Sequence, residues 1–390
     1  MRVVIVSRIY RPEPAAASLF LGCVADALRE QGVEVEVLTA KPLPGQGDGS
    51  RGERIRTFPV MRDRSGYVRG YVQYMSFDVP LLFRLLFARR PAVVFVEPPP
   101  TTGAVVRLVC AIRRIPYVYD AADIWADAAA YMQTSPLVVR VLRRVERFAL
   151  RGARALVTIS QGVADRVRSL GVRTPTTVSG FGADTLIFRY VEAPTEPVFL
   201  YAGTYTELHG ASILISAFAR FSETHAGYRL RFIGNGTGQD EMRHQARILG
   251  VELSVDFVSP IPAAELQPEF ARAVASLSTQ FPEPGYRYAF TSKIYSSLAV
   301  GCPVIFAGPG PTGSFIDQAA EQIEVGCAVD YEIEAIADAM RKAADHPLPA
   351  ERRRALAEWT AEHHSMSSVA AQVAGVIADT ARESGRDQRR

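Results

Sequence analysis

The stretch Thr291-Ser292-Lys293-Ile294-Tyr295-Ser296-Ser297-Leu298-Ala299-Val300-Gly301 places a lysine where a helix should begin. Thr291 or Ser292 is the expected N-cap and Gly301 the stop, so Lys293 falls in the first helical turn. An ammonium group there runs against the helix dipole, which favours acidic side chains at that end. A bound anion resolves the conflict, with Lys293 completing its neutralisation; a solvated lysine is the plainer alternative. Glycine-bearing turns add candidates for phosphate contact. Gly203-Thr204-Tyr205-Thr206-Glu207-Leu208-His209-Gly210 leads from an apolar strand into a helix. His209 there either donates to a phosphate or is an ordinary exposed loop histidine. Gly234-Asn235-Gly236-Thr237-Gly238 and Gly308-Pro309-Gly310 follow two further strands, each an anion nest or simply a turn.

In the first half the loop Tyr10–Ser18, which contains Pro12 and Ala16, opens a helix whose free amides can meet an anion or hydroxyls. It lacks G-x-G-x-x-G spacing, which argues against a dinucleotide cofactor. Glu97-Pro98-Pro99-Pro100 ends another strand, either as a ligand-facing loop or as a stiff turn. The run Asp120-Ala121-Ala122-Asp123-Ile124-Trp125-Ala126-Asp127 gathers three acids and a tryptophan just past a buried strand. A carboxylate there can bind hydroxyls or take a proton, Asp123 can equally cap a helix, and Trp125 can stack or fill core.

What positions these residues is a repeated grammar of short apolar strands and helices. RVVIVS, VEVEVLTA, AVVFVE, PYVYDA and ALVTIS alternate with helical stretches up to Phe188, and VFLYAG, YRLRFIGNG, VDFVS, ASLSTQ and CPVIFAG continue after a polar linker. Continuous apolar strands separated by helices imply parallel sheets covered on both faces, hence two doubly wound α/β domains. A chain of 390 residues, 48% hydrophobic, supports two such cores. We expect domains at 1–188 and 196–365, with 366–390 a final helix and frayed tail. A net charge of +3 argues against a nucleic-acid binder, and the arginines at 140–147 and 352–354 read as solvated helix faces. Cys23, Cys110, Cys302 and Cys327 read as reduced core thiols. The chain shows no signal-peptide pattern and no membrane-spanning run, so a cytoplasmic location is expected. The apolar stretch Tyr67–Phe87, with Arg69, Arg84, Arg89 and Arg90 in or near it, either packs in the core or meets a membrane surface.

Read in order, RPEPAAAS, DIWADAA, LYAGTY, FIGNGTG, FVSPIP and TSKIYSSLAVGCPVI resemble the family 4 retaining glycosyltransferases, most of all the bacterial branch that builds surface polysaccharides. The resemblance covers nearly the whole chain. It implies the GT-B fold, two Rossmann-like domains facing across a cleft, with the last helix crossing back to the first. It implies a nucleotide-sugar donor, no metal, no cofactor, and a glycan, lipid-linked or small-molecule acceptor. Lys293 falls on the phosphate-contacting lysine, Gly203–Gly210 on the loop facing the donor phosphates, and Asp123 and Trp125 on an acceptor-side motif. Ser292 and Gly234 join the donor side; Pro12, Ala16 and Glu97 join the acceptor side.

Three departures stand out. The family's paired glutamates would fall at Tyr288 and Ser296, its arginine and lysine after the first strand of the second domain are replaced by Thr204 and His209, and the histidine before Asp123 is Ala122. Glu283 and Arg287, just upstream, are candidates for a displaced carboxylate and an extra phosphate cation. With Asp123 and Lys293, Glu283 completes the expected catalytic set. A silent nucleotide-sugar-binding protein and a GT-B epimerase are the competing readings.

Overall fold

The computed structural model describes residues 1–387 apart from 14, 44–48, 64–67, 69, 132–133, 206, 237, 284 and 286. Tyr67, Arg69, Thr206 and Thr237 of the stretches above lie outside the described residues. The chain divides into two compact units, Met1–Gly180 with Met366–Arg390, and Phe181–Ser365.

The first unit runs β1 (Arg2–Val6), α1 (Ala16–Glu30), β2 (Glu34–Ala40), β3 (Arg54–Phe58), α2 (Tyr71–Phe87), β4 (Val93–Val96), α3 (Pro100–Arg113), β5 (Tyr117–Asp120), α4 (Trp125–Tyr131), α5 (Pro136–Gly152), β6 (Ala155–Thr158), α6 (Gln161–Ser169) and β7 (Thr176–Val178). Its seven strands are parallel in the order β3-β2-β1-β4-β5-β6-β7. Val3, Val4, Ile5 and Val6 are all fully buried, as a central parallel strand covered on both faces requires. Right-handed crossovers put α2, α3, α5 and α6 on one face and α1 on the other.

The second unit runs β8 (Val198–Ala202), α7 (Ile213–Ser222), β9 (Arg229–Ile233), α8 (Gln239–Ile248), β10 (Val255–Val258), α9 (Ala263–Arg272), β11 (Ala275–Thr279), α10 (Ile294–Ala299), β12 (Val304–Ala307), α11 (Pro311–Ala320), β13 (Gly326–Val329), α12 (Ile333–Asp345) and α13 (Ala350–His363). Its six strands are parallel in the order β10-β9-β8-β11-β12-β13. The last helix, α14 (Met366–Asp387), joins the first unit, packing on α1 and on β4, β5 and β6. It buries Met366, Val369, Ala370, Val373, Ala374, Ile377, Ala378 and Ala381, a single stripe at helical spacing.

The division falls at 180/181 rather than 188, because Ala183 and Phe188 bury themselves in the second unit's core and the Ala183 amide donates to the His364 carbonyl. Of the cysteines, Cys110 and Cys302 are buried and Cys23 and Cys327 half-buried; none of the four forms a disulfide. The arginines at 352–354 are not uniformly solvated. Arg353 is buried, and its guanidinium donates to the carbonyls of Ala273 (2.9 Å), Phe270 (3.0 Å) and Ala271 (2.9 Å), fastening α13 to the end of α9. Arg353→Met leaves these carbonyls without their charged donor, and we expect the second unit to lose roughly 3 kcal/mol in denaturant unfolding; a loss within error of zero would refute this role.

Candidate functional site

In each sheet the strand order reverses beside the first strand, between β1 and β4 and between β8 and β11. The loops leaving those paired strands diverge, which opens a crevice at their carboxyl ends within each unit.

In the second unit the tips of β8 and β9 lie backbone to backbone. The Gly203 amide donates to the Ile233 carbonyl at 2.9 Å, and any Cβ on Gly234 would collide with the Gly203 carbonyl. Lys293 stands over this junction. Its Nζ donates to the Tyr201 hydroxyl at 2.7 Å and the Thr204 carbonyl at 3.2 Å, and lies 4.4 Å from the Tyr201 ring centroid. The sequence-based expectation of a first-turn lysine needs correction. Helix α10 is only six residues long, Lys293 occupies its N-cap position, and no side chain caps it. Thr291 is engaged elsewhere, its amide donating to the Thr312 hydroxyl at 2.8 Å. Lys293 is therefore placed by Tyr201 and the β8 loop rather than by a helix terminus.

Burial brings the Lys293 ammonium down to about 7, since no carboxylate offsets its desolvation. The same burial, with the Lys293 charge added, holds His209 down to about 3, so the imidazole is neutral. Gly203, Thr204, His209, Gly234 and Lys293 thus converge, with Tyr201 as a partner absent from the sequence-based set. Ser292 and Ser296 flank the lysine and are half-buried, as is Tyr288. Arg287 is exposed and its side chain bonds to no other described residue; Glu283 is half-buried in the same loop, whose Pro284 and Tyr286 lie outside the described residues.

In the first unit, Arg8 follows β1 and is buried. Its guanidinium lies 4.3 Å from the Tyr74 ring and 5.6 Å from the Trp125 ring, and it donates to the Val68 carbonyl at 2.7 Å. Trp125 meets Tyr74 edge to face at 5.9 Å. Around them stand the buried carboxyls of Asp78 and Asp120 and the half-buried one of Glu97. Glu97, which accepts from Ser7 at 2.8 Å, is pushed up to about 7 by burial despite the Arg8 charge. Asp120 is raised well above its usual range by burial and by the charges of Glu97 and Asp123, and Asp78 is raised by burial. Arg8 Nε and Asp78 Oδ2 are buried with no hydrogen-bond partner among the described residues. Such a cluster holds protons near neutrality and offers donors and acceptors to hydroxyls.

The amides of Trp125 and Ala126 donate to Glu146 on α5, at 2.7 and 3.2 Å, so Glu146 supplies the carboxylate that caps α4. Asp127 is tied to Arg166 at 2.6 Å. Pro12 is half-buried and Ala16 exposed at the start of α1, a helix with no side-chain cap. Asp78 and Arg8 escaped the sequence analysis, although a lone acid in an apolar helix and a cation directly after a buried strand were signals.

Comparison with known proteins decides the family. A model described as the glycosyl transferase 4-like domain matches residues 20–182, and one described as glycosyl transferases group 1 matches residues 183–363. The chain belongs to the family 4 glycosyltransferases. This glycosyltransferase is 25% identical over 422 aligned residues to the D-inositol 3-phosphate glycosyltransferase of Corynebacterium glutamicum, covering 97% of each chain. Against the glycogen synthase of Mycobacterium tuberculosis it is 29% identical over 219 residues, a match spanning 55% of this chain and only 51% of that relative. Its fold is that of Thermosynechococcus elongatus sucrose-phosphate synthase, with TM-score 0.69, 16% identity and 100% and 98% of the two chains covered. Anabaena HepE, solved in complex with UDP, gives TM-score 0.69 at 18% identity over 97% and 100%. Both sheets and their neighbours make the fold GT-B.

The folded state raises the Glu97 carboxyl from 4.5 to about 7, so it binds more protons than the unfolded chain between those values. Its contribution to stability is accordingly lost as pH rises through 7. Glu97→Gln should gain stability relative to wild type between pH 5 and pH 8, measured by thermal unfolding; a pH-independent difference would contradict the assignment.

Proposed function

We propose that this protein is a retaining, metal-independent glycosyltransferase that moves a sugar from a nucleoside-diphosphate sugar to an acceptor hydroxyl. The observation that carries this reading is Lys293 over the Gly203–Gly234 junction, a half-buried lysine with no carboxylate partner among the described residues. A diphosphate is the ligand chemistry that such a site favours. As the bond between the anomeric carbon and the phosphate oxygen breaks, charge builds on the leaving diphosphate, where Lys293 and those amides of the 203–210 loop not already given to carbonyls neutralise it. The acceptor oxygen then bonds to the anomeric carbon on the vacated face and its proton passes to the departing phosphate oxygen, which balances the step and retains configuration.

Arg287, Ser292, Ser296 and Tyr288 would complete the donor site. Glu283 would stand in for the missing carboxylate; unchanged turnover and donor affinity in Glu283→Ala would remove it. On the acceptor side, Asp123, Glu97 and Trp125, with Pro12 and Ala16, would meet a glycan, lipid-linked or small-molecule hydroxyl, with the Arg8 charge acting on Glu97. UDP-sugars are the favoured donors, a choice supported by HepE, which holds UDP on the same fold. Among the described residues no helix is long and apolar enough to cross a membrane; we place the enzyme in the cytoplasm with peripheral membrane contact, in polysaccharide-type biosynthesis.

Lys293→Ala should lower transfer on the order of 100- to 1000-fold with the fold retained, whereas wild-type rates in that variant would sink the proposal. A lysine at about 7 is mostly neutral at pH 8, and a bound diphosphate restores its charge. Calorimetry of UDP binding in buffers of different ionisation enthalpy should therefore show proton uptake at pH 8, absent in Lys293→Met.

A further inference from the structure

The outer layer of the first unit carries a charge pattern that transfer chemistry does not use. Helices α2, α3 and α5 lie side by side on one face of the sheet. Their only acids are Asp78 and Glu146, and both are buried. The same three helices carry eight arginines, five of them on α5. Leu137, Val141, Arg144, Phe148 and Arg151 fall on one stripe of α5 at helical spacing, so apolar and cationic groups alternate along its outward edge. Leu137 is 63% exposed, Ile112 on α3 64% and Phe87 at the end of α2 80%.

Between α3 and α5 lies an open depression of about 330 Å³ lined by Arg107, Arg144, Arg147, Phe148 and Arg151. Arg107 spans it, its guanidinium 4.0 Å from the Phe148 ring, and Arg151 donates to the Gly171 carbonyl at 3.0 Å. Arg147 Nε is buried without a hydrogen-bond partner. None of the four arginines pairs with a carboxylate among the described residues.

We propose that this face is a docking surface for an anionic phospholipid bilayer, with headgroup phosphates seated among Arg107, Arg144, Arg147 and Arg151 and Leu137, Val141, Phe148 and Ile112 entering the interface. It names the surface behind the peripheral contact proposed above and does not depend on the transfer chemistry. Charge complementarity selects the occupant: α2, α3 and α5 expose many cations and no acid, and the exposed Asp165 of neighbouring α6 is paired with Arg168. The exposed apolar side chains favour lipid over a free phosphate, which would gain nothing from them. A second copy is disfavoured, because a two-fold contact would set this face against itself, arginine against arginine.

The test is cosedimentation with vesicles of phosphatidylcholine alone and of phosphatidylcholine with about one-third phosphatidylglycerol, at low salt and at about 0.5 M salt. The protein should pellet with the anionic vesicles only, and high salt should release most of it. Arg140 and Arg144 are exposed, and their side chains bond to no other described residue. The double variant Arg140→Gln/Arg144→Gln should bind roughly 25-fold more weakly, from about fivefold per arginine. Leu137→Ser/Phe148→Ser should also weaken binding, and both variants should keep the wild-type melting temperature and transfer to a soluble acceptor.

No pelleting with anionic vesicles, equal pelleting with neutral ones, or unaltered binding by both variants would each overturn the proposal. So would stabilisation by inorganic phosphate without vesicle binding, which marks a free-anion site, or a dimer dissolved by Phe148→Ser without vesicle binding. Vesicle binding in a protein that transfers nothing would leave the docking surface standing and remove only the transferase reading.

Discussion

Parallel strands all finish on the same edge of their sheet, and in both units that edge gathers the charged groups which have no role in the core. The hydrogen-bond ladder must be continuous through the interior, and the central strands β1, β4 and β8 run apolar to their ends, with polarity beginning one or two residues later. Arg8 after β1, Glu97 after β4, Asp120 closing β5, and Gly203 after β8 are all products of this rule. Where strand order reverses, the neighbouring loops part and leave the polar ends facing a crevice.

The same desolvation acts in opposite directions at the two crevices. It disfavours charge on Lys293, moving it down to about 7, and disfavours charge on Glu97, moving it up to about 7. The second unit therefore offers a cation that gains from an arriving anion, while the first offers protonated carboxyls around one buried guanidinium. A diphosphate suits the former and hydroxyls the latter. The position of Lys293 does not depend on Tyr288 or Ser296, where the family's paired glutamates would fall, because it is anchored through Tyr201 and Thr204.

The outer helices obey a different constraint. Each buries one stripe on the sheet, and the acids of α2 and α5 have been drawn inward, Asp78 to accept from Thr102 and Glu146 to cap α4. What remains outside is arginine and apolar side chains, a composition that water alone does not favour. Arg353 shows the reverse case, an arginine drawn inward because three carbonyls at the end of α9 needed a donor.

Much of the fold was legible in the amino-acid order. Apolar runs of strand length alternating with helices imply parallel, doubly wound sheets without any long-range information, and they mark the strand ends after which Gly203, Glu97 and Asp123 stand, whereas Lys293, at the start of α10, meets such an end only in the fold. Local spacing carries that much because a strand's burial on both faces is written in its own residues. Tertiary structure decided the partners. Whether Thr291 caps α10 or bonds to Thr312, and whether Asp127 is a ligand or an ion pair with Arg166, depend on residues 21 and 39 positions away. Whether Arg353 is solvated or buried, and whether Arg8 lies beside Tyr74 and Trp125, likewise follow from sheet order and helix packing. Charge, unlike apolarity, takes its meaning from what stands opposite, and only the folded chain brings the two sides together.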